Sequence, residues 1–304
     1  DQAVPREDQL GLLSPDLRVD PLSGRLVAVA PGRSGRPGAE QPELGPPTEE
    51  ELESCPFCEG REDRTPPEVL ALAPDDREPD TPGWSVRVVP NKYPAFERQE
   101  VVVHSPQHRR SIAELGLEQL ELVAEAWRLR AAAAESRGKT IFVCVNEGRA
   151  AGASLLHSHS QLVWLDEEPP VPKAERGEPC RLCEALEVER TEGTRVVEER
   201  NGLVLLCPYA SRSAYECLIA PVEHEEHAFP NPLLGPALEL AAEALRRLAV
   251  AEGLRPMNLW LHEAGHWHLE LLPRLSVIAS LELGAGHYIN TLAPEQAAET
   301  LRND

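Results

Sequence analysis

The sequence predicts an α+β fold made of two tandem copies of one module. The motif Cys-x-x-Cys occurs twice, as CPFC at 55–58 and as CRLC at 180–183. After each motif the same series follows: two strand-like runs, a histidine shortly after a proline, an amphipathic helix, a short apolar strand and a His-x-His. A series that recurs in this order indicates a duplicated module.

The predicted elements of the two copies correspond one to one. The predicted strands are 85–89, 100–103 and 140–145 in the first copy, and 203–206, 217–220 and 257–261 in the second. Apolar residues at helical spacing predict helices from about 117 to 136 and from about 236 to 252. Gly138 and Gly253 are the expected helix stops. A further strand is expected at 26–30.

Each copy contains two cysteines and two histidines, which are enough for a tetrahedral zinc shell. The first set is Cys55, Cys58, His108 and His157, and the second is Cys180, Cys183, His224 and His266. The second cysteine and the first histidine are 50 residues apart in the first set and 41 in the second, and the two histidines are 49 and 42 apart. We therefore expect one zinc ion, and a second in the C-terminal copy.

Alternatives to these ligand sets remain open at the level of sequence. A Cys-x-x-Cys can also be a redox pair, or bind no ion. His104 competes with His108, and His227 and His262 compete within the second set. The other cysteines, Cys144, Cys207 and Cys217, lie in apolar runs and are expected in the core.

The charge of the chain argues against a nucleic-acid partner. It has 51 acidic and 30 basic residues, a net charge of −21, whereas binding to a phosphate backbone needs clustered cations. No apolar run approaches the roughly 20 residues that span a bilayer, and residues 1–9 do not resemble a signal peptide. We expect a cytoplasmic protein with no membrane partner.

The His-x-His of the first copy is the strongest candidate for catalysis. On an extended chain its two side chains face opposite ways, so His157 can bind a metal while His159 acts as base or nucleophile. If Nδ1–H of His159 donates to a backbone carbonyl, its Nε2 is free. The small-residue loop 146–154 suits close approach by phosphate oxygens. Ser154 and Gln161 are neutral donors that suit charge developing at phosphorus.

The second copy lacks this neutral surrounding. Glu270 stands where the first copy has Gln161, and its carboxylate would repel a phosphate group. His268 is therefore the weaker candidate, and we expect the second copy to be structural.

These motifs together resemble the galactose-1-phosphate uridylyltransferase family, the transferase branch of the histidine-triad superfamily, over nearly the whole chain. They are DPLSGR at 20–25, RSGRP at 33–37, CPFC at 55–58, PNKYP at 90–94, NEG at 146–148 and GASLLHSHSQ at 152–161. The resemblance implies two histidine-triad-like modules, each an antiparallel sheet with packed helices, at 1–168 and 169–304. It also implies a homodimer. The charge of Glu270, by itself, indicates that the second module is degenerate.

The resemblance implies a double displacement through a nucleotidyl group on His159, assisted by Gln161. Further implied contacts to the nucleotide sugar are Arg33, Arg36, Asn91, Asn146, Gly148, Ser154 and Glu282. From the residues alone, the arginines can equally be solvated loop residues. Asn91 and Glu282 can equally belong to turns.

The substrates follow from the branch of the family. The main expectation is a UDP-glucose:hexose-1-phosphate uridylyltransferase, which acts on a nucleotide sugar and a sugar 1-phosphate. Ser158, where many members have proline, and the second Cys/His set resemble instead the branch with ADP-glucose phosphorylase, which uses phosphate as the acceptor. Bacterial transferases have a Glu/His set at their second metal. Gln161, in place of a third histidine, argues against a hydrolase, and a zinc-stabilised nucleotide-binding protein is the remaining alternative.

Overall fold

Ten strands form one antiparallel sheet in a computed structural model that describes residues 16–34, 43–263 and 265–303. Numbered along the chain and given in spatial order, the strands are β3 (Leu70–Leu72), β4 (Val86–Pro90), β5 (Gln99–Val103), β7 (His159–Leu165), β6 (Thr140–Glu147), β11 (Met257–His262), β12 (His268–Pro273), β10 (Cys217–Pro221), β9 (Leu203–Leu206) and β8 (Val196–Arg200). Outward from the central pair, β6 and β11, the two copies place their strands in the same order.

This sheet confirms the predicted α+β class and corrects one detail. The seven predicted strands are present, each within two residues of the expected bounds. The sequence implied one sheet per module, whereas β6 pairs with β11 from Val143↔Leu261 to Glu147↔Met257, so that the sheet is continuous. Pairing at this junction satisfies the backbone groups of two edges that would otherwise be exposed.

Two long helices cover one face of the sheet. They are α2 (Leu117–Glu135) and α5 (Leu234–Glu252), and they pack on each other. The apolar residues whose helical spacing predicted these helices are all buried: Leu120, Val123, Ala124 and Trp127 in α2, and Leu238, Ala241, Ala242, Leu245 and Leu248 in α5. Gly138 and Gly253 have positive φ angles of 68° and 75° just after these helices, as expected for helix stops.

Within the described ranges, other segments pack on the opposite face of the sheet at both of its ends, and we call it the site face, defined by Asn146, His159, Asn258 and His268. One end packs against Cys55 and Phe57, and the other against Leu182 of α4 (Arg181–Glu192). The remaining helices are short: α1 (Glu49–Ser54), α3 (Pro170–Glu175), α6 (Ser280–Ala285) and α7 (Pro294–Asn303). A cavity of about 980 Å³, the central cavity, lies between the covered ends.

A small second sheet joins the two ends of the chain. It contains β1 (Asp16–Val19), β2 (Leu26–Val29) and β13 (His287–Asn290), and β13 runs parallel to β2. Residues before 169 therefore pair with residues after 280, and the division at 168/169 stays a proposal. No helix in the described ranges has the length and apolar character needed to cross a bilayer.

Candidate active site

His159 is the first residue of β7 and is held in one orientation. Its Nδ1–H donates to the backbone carbonyl of His157 over 2.7 Å. Its Nε2 makes no hydrogen bond to any part of the chain that the structure describes. The imidazole is 6% exposed, and burial lowers its pKa. The ring is therefore neutral near pH 7, and its Nε2 lone pair is available.

Phe57 connects this imidazole to the first Cys/His set. The ring of Phe57 meets that of His159 edge-on, with centroids 5.3 Å apart, and lies 6.1 Å from that of His157. Phe57 lies between Cys55 and Cys58 in the sequence. Any displacement of the turn 55–58 therefore moves the Phe57 ring, against which His159 packs.

The first Cys/His set has the geometry of a tetrahedral zinc site. The sulfur of Cys58 lies 3.5 Å from Nδ1 of His108 and 3.8 Å from Nδ1 of His157, and the sulfur of Cys55 lies 3.5 Å from the same His157 nitrogen. Tetrahedral zinc with ordinary bond lengths separates sulfur and nitrogen by about 3.5 Å. The four groups fit this metal, and they are the residues that would hold it.

Outer hydrogen bonds fix the tautomers of both histidine ligands. Nε2–H of His108 donates to Glu51 over 2.8 Å, and Nε2–H of His157 donates to the carbonyl of Ser105 over 2.8 Å. Both Nδ1 atoms therefore present lone pairs to the thiolates, which is the usual support of a zinc site. Arg110 holds the other oxygen of Glu51 at 3.0 Å.

Ser158, the residue between the two histidines, is fixed by hydrogen bonds of its side chain and its backbone. The hydroxyl of Ser158 donates to Glu147 over 2.9 Å and lies 2.9 Å from Nδ1 of His104. Its backbone N–H donates to the carbonyl of Arg109 over 2.6 Å. His104, the alternative to His108 as a metal ligand, is thus a buried partner of Ser158. Burial raises the pKa of Glu147 to about 7.

Gln161 and Asn146 flank His159 on the site face. Gln161 lies two residues further along β7, and Asn146 lies on the adjacent strand β6. Both side chains line the central cavity. The structure thus brings an imidazole with a free nitrogen together with two neutral amides, a set that can receive a phosphate group without repelling it.

The loop before His157 follows a tight path. Gly148 has a φ of 82°, and a Cβ there would lie 2.7 Å from Leu44 and 2.8 Å from Pro256. Only glycine fits this position. The guanidinium of Arg149 donates to the carbonyl of Ser154 over 2.5 Å, and Ser154 is exposed.

Three of the other predicted contacts have local roles. The side-chain oxygen of Asn91 accepts from Tyr93 N–H over 2.9 Å, which is turn chemistry. Glu282 caps α6 through Ala279 N–H at 2.9 Å. Arg33 ends a 3-10 turn, 31–33, on the surface. The central cavity is not lined by these three residues, and Arg36 lies outside the described residues.

The second Cys/His set is more open than the first. Nδ1 of His224 and of His266 lie 3.2 Å and 3.4 Å from the sulfur of Cys183, and Cys180 completes the group. The side chain of His224 is 43% exposed, and Glu226 lies 4.0 Å from its Nε2. Burial lowers the pKa of His266 to about 4, which favours the neutral form that binds a metal. This motif opens helix α4 rather than lying in a free turn.

A third group of ionisable residues surrounds the counterpart of His159. Glu175, His262, His268 and Glu270 are all buried, and one ligand atom of each lies within 4.8 Å of the others. His262, an alternative ligand for the second set, donates to Glu175 over 2.8 Å. Glu270 accepts from Arg212.

Several residues of the site carry no signal in the sequence. Gln99, Asn258 and Trp260 line or adjoin the site face, and each comes from a strand with an ordinary apolar pattern. Cys144, expected in the core, lines the central cavity instead. Only the register of β5, β6, β7 and β11 reveals these neighbours.

Comparisons with known proteins agree on one family. A family model described as galactose-1-phosphate uridyl transferase, N-terminal domain, matches residues 88–169. An ADP-glucose phosphorylase from Arabidopsis thaliana is 29% identical over 95% of this chain and 93% of that protein. The chain is thus similar to members of the galactose-1-phosphate uridylyltransferase family. Its relatives are enzymes of the nucleotidyl-transfer type.

Two further comparisons support this similarity. A galactose-1-phosphate uridylyltransferase from Thermotoga maritima is 28% identical over 94% of this chain and 98% of that protein. The crystal structure of an Arabidopsis thaliana ADP-glucose phosphorylase with bound ADP-glucose superposes with a TM-score of 0.78 at 27% identity. That superposition covers 96% of this chain and 99% of the other.

Proposed function

We propose that the protein transfers a nucleotidyl group from a nucleotide sugar to a phosphate acceptor through a covalent intermediate on His159. The observation that carries this proposal is the free Nε2 of a neutral imidazole, fixed by the 2.7 Å bond from Nδ1 to His157 O and flanked by the amides of Gln161 and Asn146. A fixed nucleophile with neutral donors beside it suits attack on a phosphorus atom.

The two half-reactions are balanced by one bond made and one broken in each. Nε2 of His159 bonds to the α-phosphorus, and the bond from that phosphorus to the bridging oxygen breaks, so the sugar 1-phosphate leaves with the electron pair. An oxygen of the acceptor phosphate then bonds to the same phosphorus, and the N–P bond breaks. Zinc at the first set would act as a structural ion that holds His157 and the Phe57 turn.

The substrate pair that we propose is ADP-glucose and inorganic phosphate. Support comes from the Arabidopsis thaliana ADP-glucose phosphorylase, which is similar over nearly the whole chain, and from its structure with bound ADP-glucose. The second Cys/His set and Ser158 point to the same branch. The motifs alone favoured uridylyl transfer over the ADP-glucose reaction, and this proposal ranks the two the other way round.

Uridylyl transfer between UDP-glucose and a hexose 1-phosphate is the second candidate. It is favoured by the match to the uridyl transferase family model and by the Thermotoga maritima relative. This candidate uses the same intermediate, so it differs only in the base and the acceptor.

The test is a comparison of the two substrate pairs at matched concentrations. We expect release of glucose 1-phosphate and ADP from ADP-glucose and phosphate, with a kcat/KM at least about tenfold above that for UDP-glucose and galactose 1-phosphate. The opposite ratio would favour the second candidate. Release of sugar 1-phosphate from neither nucleotide sugar would overturn nucleotidyl transfer itself.

A further inference from the structure

We infer that Gln99 and Asn258 are positioning residues, which turn the amide N–H groups of Gln161 and Asn146 toward the phosphate of a bound nucleotide sugar. The inference rests on the proposed function, because it assumes that phosphate binds beside His159. It assigns a task to one residue of each copy of the module.

The first relay is a chain of two hydrogen bonds that runs from the backbone N–H of Ala95 through Gln99 to Gln161. The N–H of Ala95 donates to Oε1 of Gln99 over 3.0 Å. Nε2 of Gln99 then donates to Oε1 of Gln161 over 2.5 Å. Gln99 can reach Gln161 because Gln161 is paired with Val101, two residues along β5 on the same face.

The direction of this relay is determined by its first donor. A backbone N–H can only donate, so the Gln99 atom facing Ala95 has to be the carbonyl oxygen. The NH2 group of Gln99 therefore faces Gln161, whose oxygen accepts. The remaining NH2 group of Gln161 is left for the central cavity, where it can donate to an anionic oxygen.

The second relay is oriented in the same way, and its first donor is the guanidinium of Arg274. Nη1 of Arg274 donates to Oδ1 of Asn258 over 3.2 Å. Nδ2 of Asn258 donates to Oδ1 of Asn146 over 2.7 Å and to the carbonyl of Ala151 over 2.9 Å. A guanidinium cannot accept a hydrogen bond, so the orientation of both amides follows from it.

The two relays converge on His159 from opposite sides. Gln99 reaches the site across β5 and β7, whereas Asn258 is the direct partner of Asn146 across the β6–β11 junction. Each relay ends in a side-chain amide, Gln161 or Asn146, whose oxygen already accepts a hydrogen bond. Its NH2 group is then the part that faces the site. A side-chain amide that is held in this way cannot turn its oxygen toward a phosphate, which would cost transition-state stabilisation.

Gln99→Glu is the decisive variant. Its carboxylate can accept from Ala95 but has nothing to donate, so the NH2 group of Gln161 has to face it and the oxygen of Gln161 faces the phosphate. We expect the rate of nucleotidyl-enzyme formation to fall by about 100-fold, as for loss of one oxyanion donor. Gln99→Leu, which releases Gln161 without reversing it, should lose about tenfold.

A double-mutant cycle separates this relay from the effect of added charge. In a Gln161→Leu background there is no amide to reverse, so Gln99→Glu should cost less than about threefold more. A full 100-fold loss in that background would overturn the inference, because the carboxylate would then act directly on the phosphate. Glu97→Gln is the matched control, because this side chain is two residues away and 90% exposed. It should leave the rate of nucleotidyl-enzyme formation unchanged.

Asn258→Asp tests the relay from the second copy. It removes the donors to Asn146 and to Ala151 while it keeps the acceptor for Arg274. We expect about a 10- to 100-fold loss of nucleotidyl-enzyme formation with zinc content unchanged. Unchanged kinetics in both Asn258→Asp and Gln99→Glu would leave no positioning role for either residue.

One readout does not depend on activity. The side-chain amide resonances of Gln161, identified by their loss in Gln161→Leu, should shift in Gln99→Leu and remain in place in Glu97→Gln. A shift combined with no adduct in the wild type would keep the relay and reject the proposed function. An adduct in the wild type with no shift in Gln99→Leu would keep the function and reject the relay.

Discussion

The two copies of the module share a backbone order but surround the second histidine of His-x-His with opposite chemistry. His159 has neutral amides beside it, whereas Nε2 of His268 lies 3.7 Å from Glu175 and 3.6 Å from Glu270. Burial opposes a charge on His268, but the nearby carboxylates of Glu270 and Glu175 raise its pKa. The matching position is Gln161 in the first copy and Glu270 in the second. This one difference separates the proposed phosphate-binding surface from a buried ion-pair cluster.

The two copies also differ in the residue between the two histidines, which is Ser158 in the first copy and Trp267 in the second. Ser158 is bound to Glu147 and His104, and the Nδ1 bond of His159 behind it is 2.7 Å long. Trp267 holds the corresponding place in the second copy, and its indole N–H, in the described part of the chain, has no hydrogen-bond partner. The Nδ1 bond of His268 there is 3.2 Å long. The copy with the proposed nucleophile is thus the more tightly fixed.

The sharpest test of this difference exchanges the histidines for inert residues. We expect His159→Ala to lower nucleotidyl transfer by at least about 10⁴-fold while it keeps the metal content, because the nucleophile is lost and the zinc ligands are intact. His268→Asn should stay within about threefold of the wild type. Steady-state rates and metal analysis of both variants check this, and equal losses would contradict the division of labour.

The next largest effect concerns the metal ligands. His157→Ala should lose one zinc per chain and destabilise the fold on the order of 5 kcal/mol, since metal binding contributes folding free energy. It should also abolish transfer, because loss of the metal would free the backbone at 157, whose carbonyl holds Nδ1 of His159, and the Phe57 ring that packs on His159. Zinc stoichiometry and denaturant unfolding report the outcome.

His266→Ala provides the comparison for the second site. It should lose the second zinc with transfer reduced only several-fold. Retention of a metal ion in this variant would point to the Glu175, His262, His268 and Glu270 group as the holder.

A smaller effect compares the two metal sites in the wild type. His108 has a carboxylate partner at 2.8 Å, whereas His224 is 43% exposed and its nearest carboxylate is 4.0 Å away. We expect a chelator to remove zinc from the second site first, and Glu51→Gln to weaken the first site by about 10- to 100-fold. Timed chelation with metal analysis measures both. Faster loss from the wild-type first site would reverse our ranking.

The smallest expected effect is at Ser158. Ser158→Ala removes the bonds to Glu147 and His104, and we expect kcat for transfer to fall about tenfold with KM and zinc content unchanged. Ser158→Thr, which keeps the hydroxyl, should recover most of the rate. A loss of stability without a change in kcat would make Ser158 purely structural.

The duplication, the two Cys/His sets and the main helices could be predicted from the sequence because their signals are local or recur. Zinc ligation restricts residue type and spacing, and the stripes of α2 and α5 follow the helical period. His159 could be singled out for the same reason, since it stands two residues from a predicted ligand.

What could not be predicted depends on strand register across the sheet. Nothing local distinguishes Gln99 or Asn258 from other strand residues, and their roles arise only from pairing with β7 and β6. The junction of β6 with β11 and the parallel pairing of β13 with β2 likewise join segments far apart in the chain. Asn91 and Glu282 illustrate the reverse case, because their types also suit the turn and the helix cap in which they lie.

The most direct test of the central claim is the intact mass of the protein, under non-acidic conditions, after mixing with ADP-glucose or with UDP-glucose. We expect a covalent nucleotidyl adduct, AMP from ADP-glucose and UMP from UDP-glucose. Peptide mapping should locate it on His159, and it should be absent in His159→Ala and present in His268→Asn. An adduct that persists in His159→Ala, or turnover of the nucleotide sugar without any adduct, would contradict it.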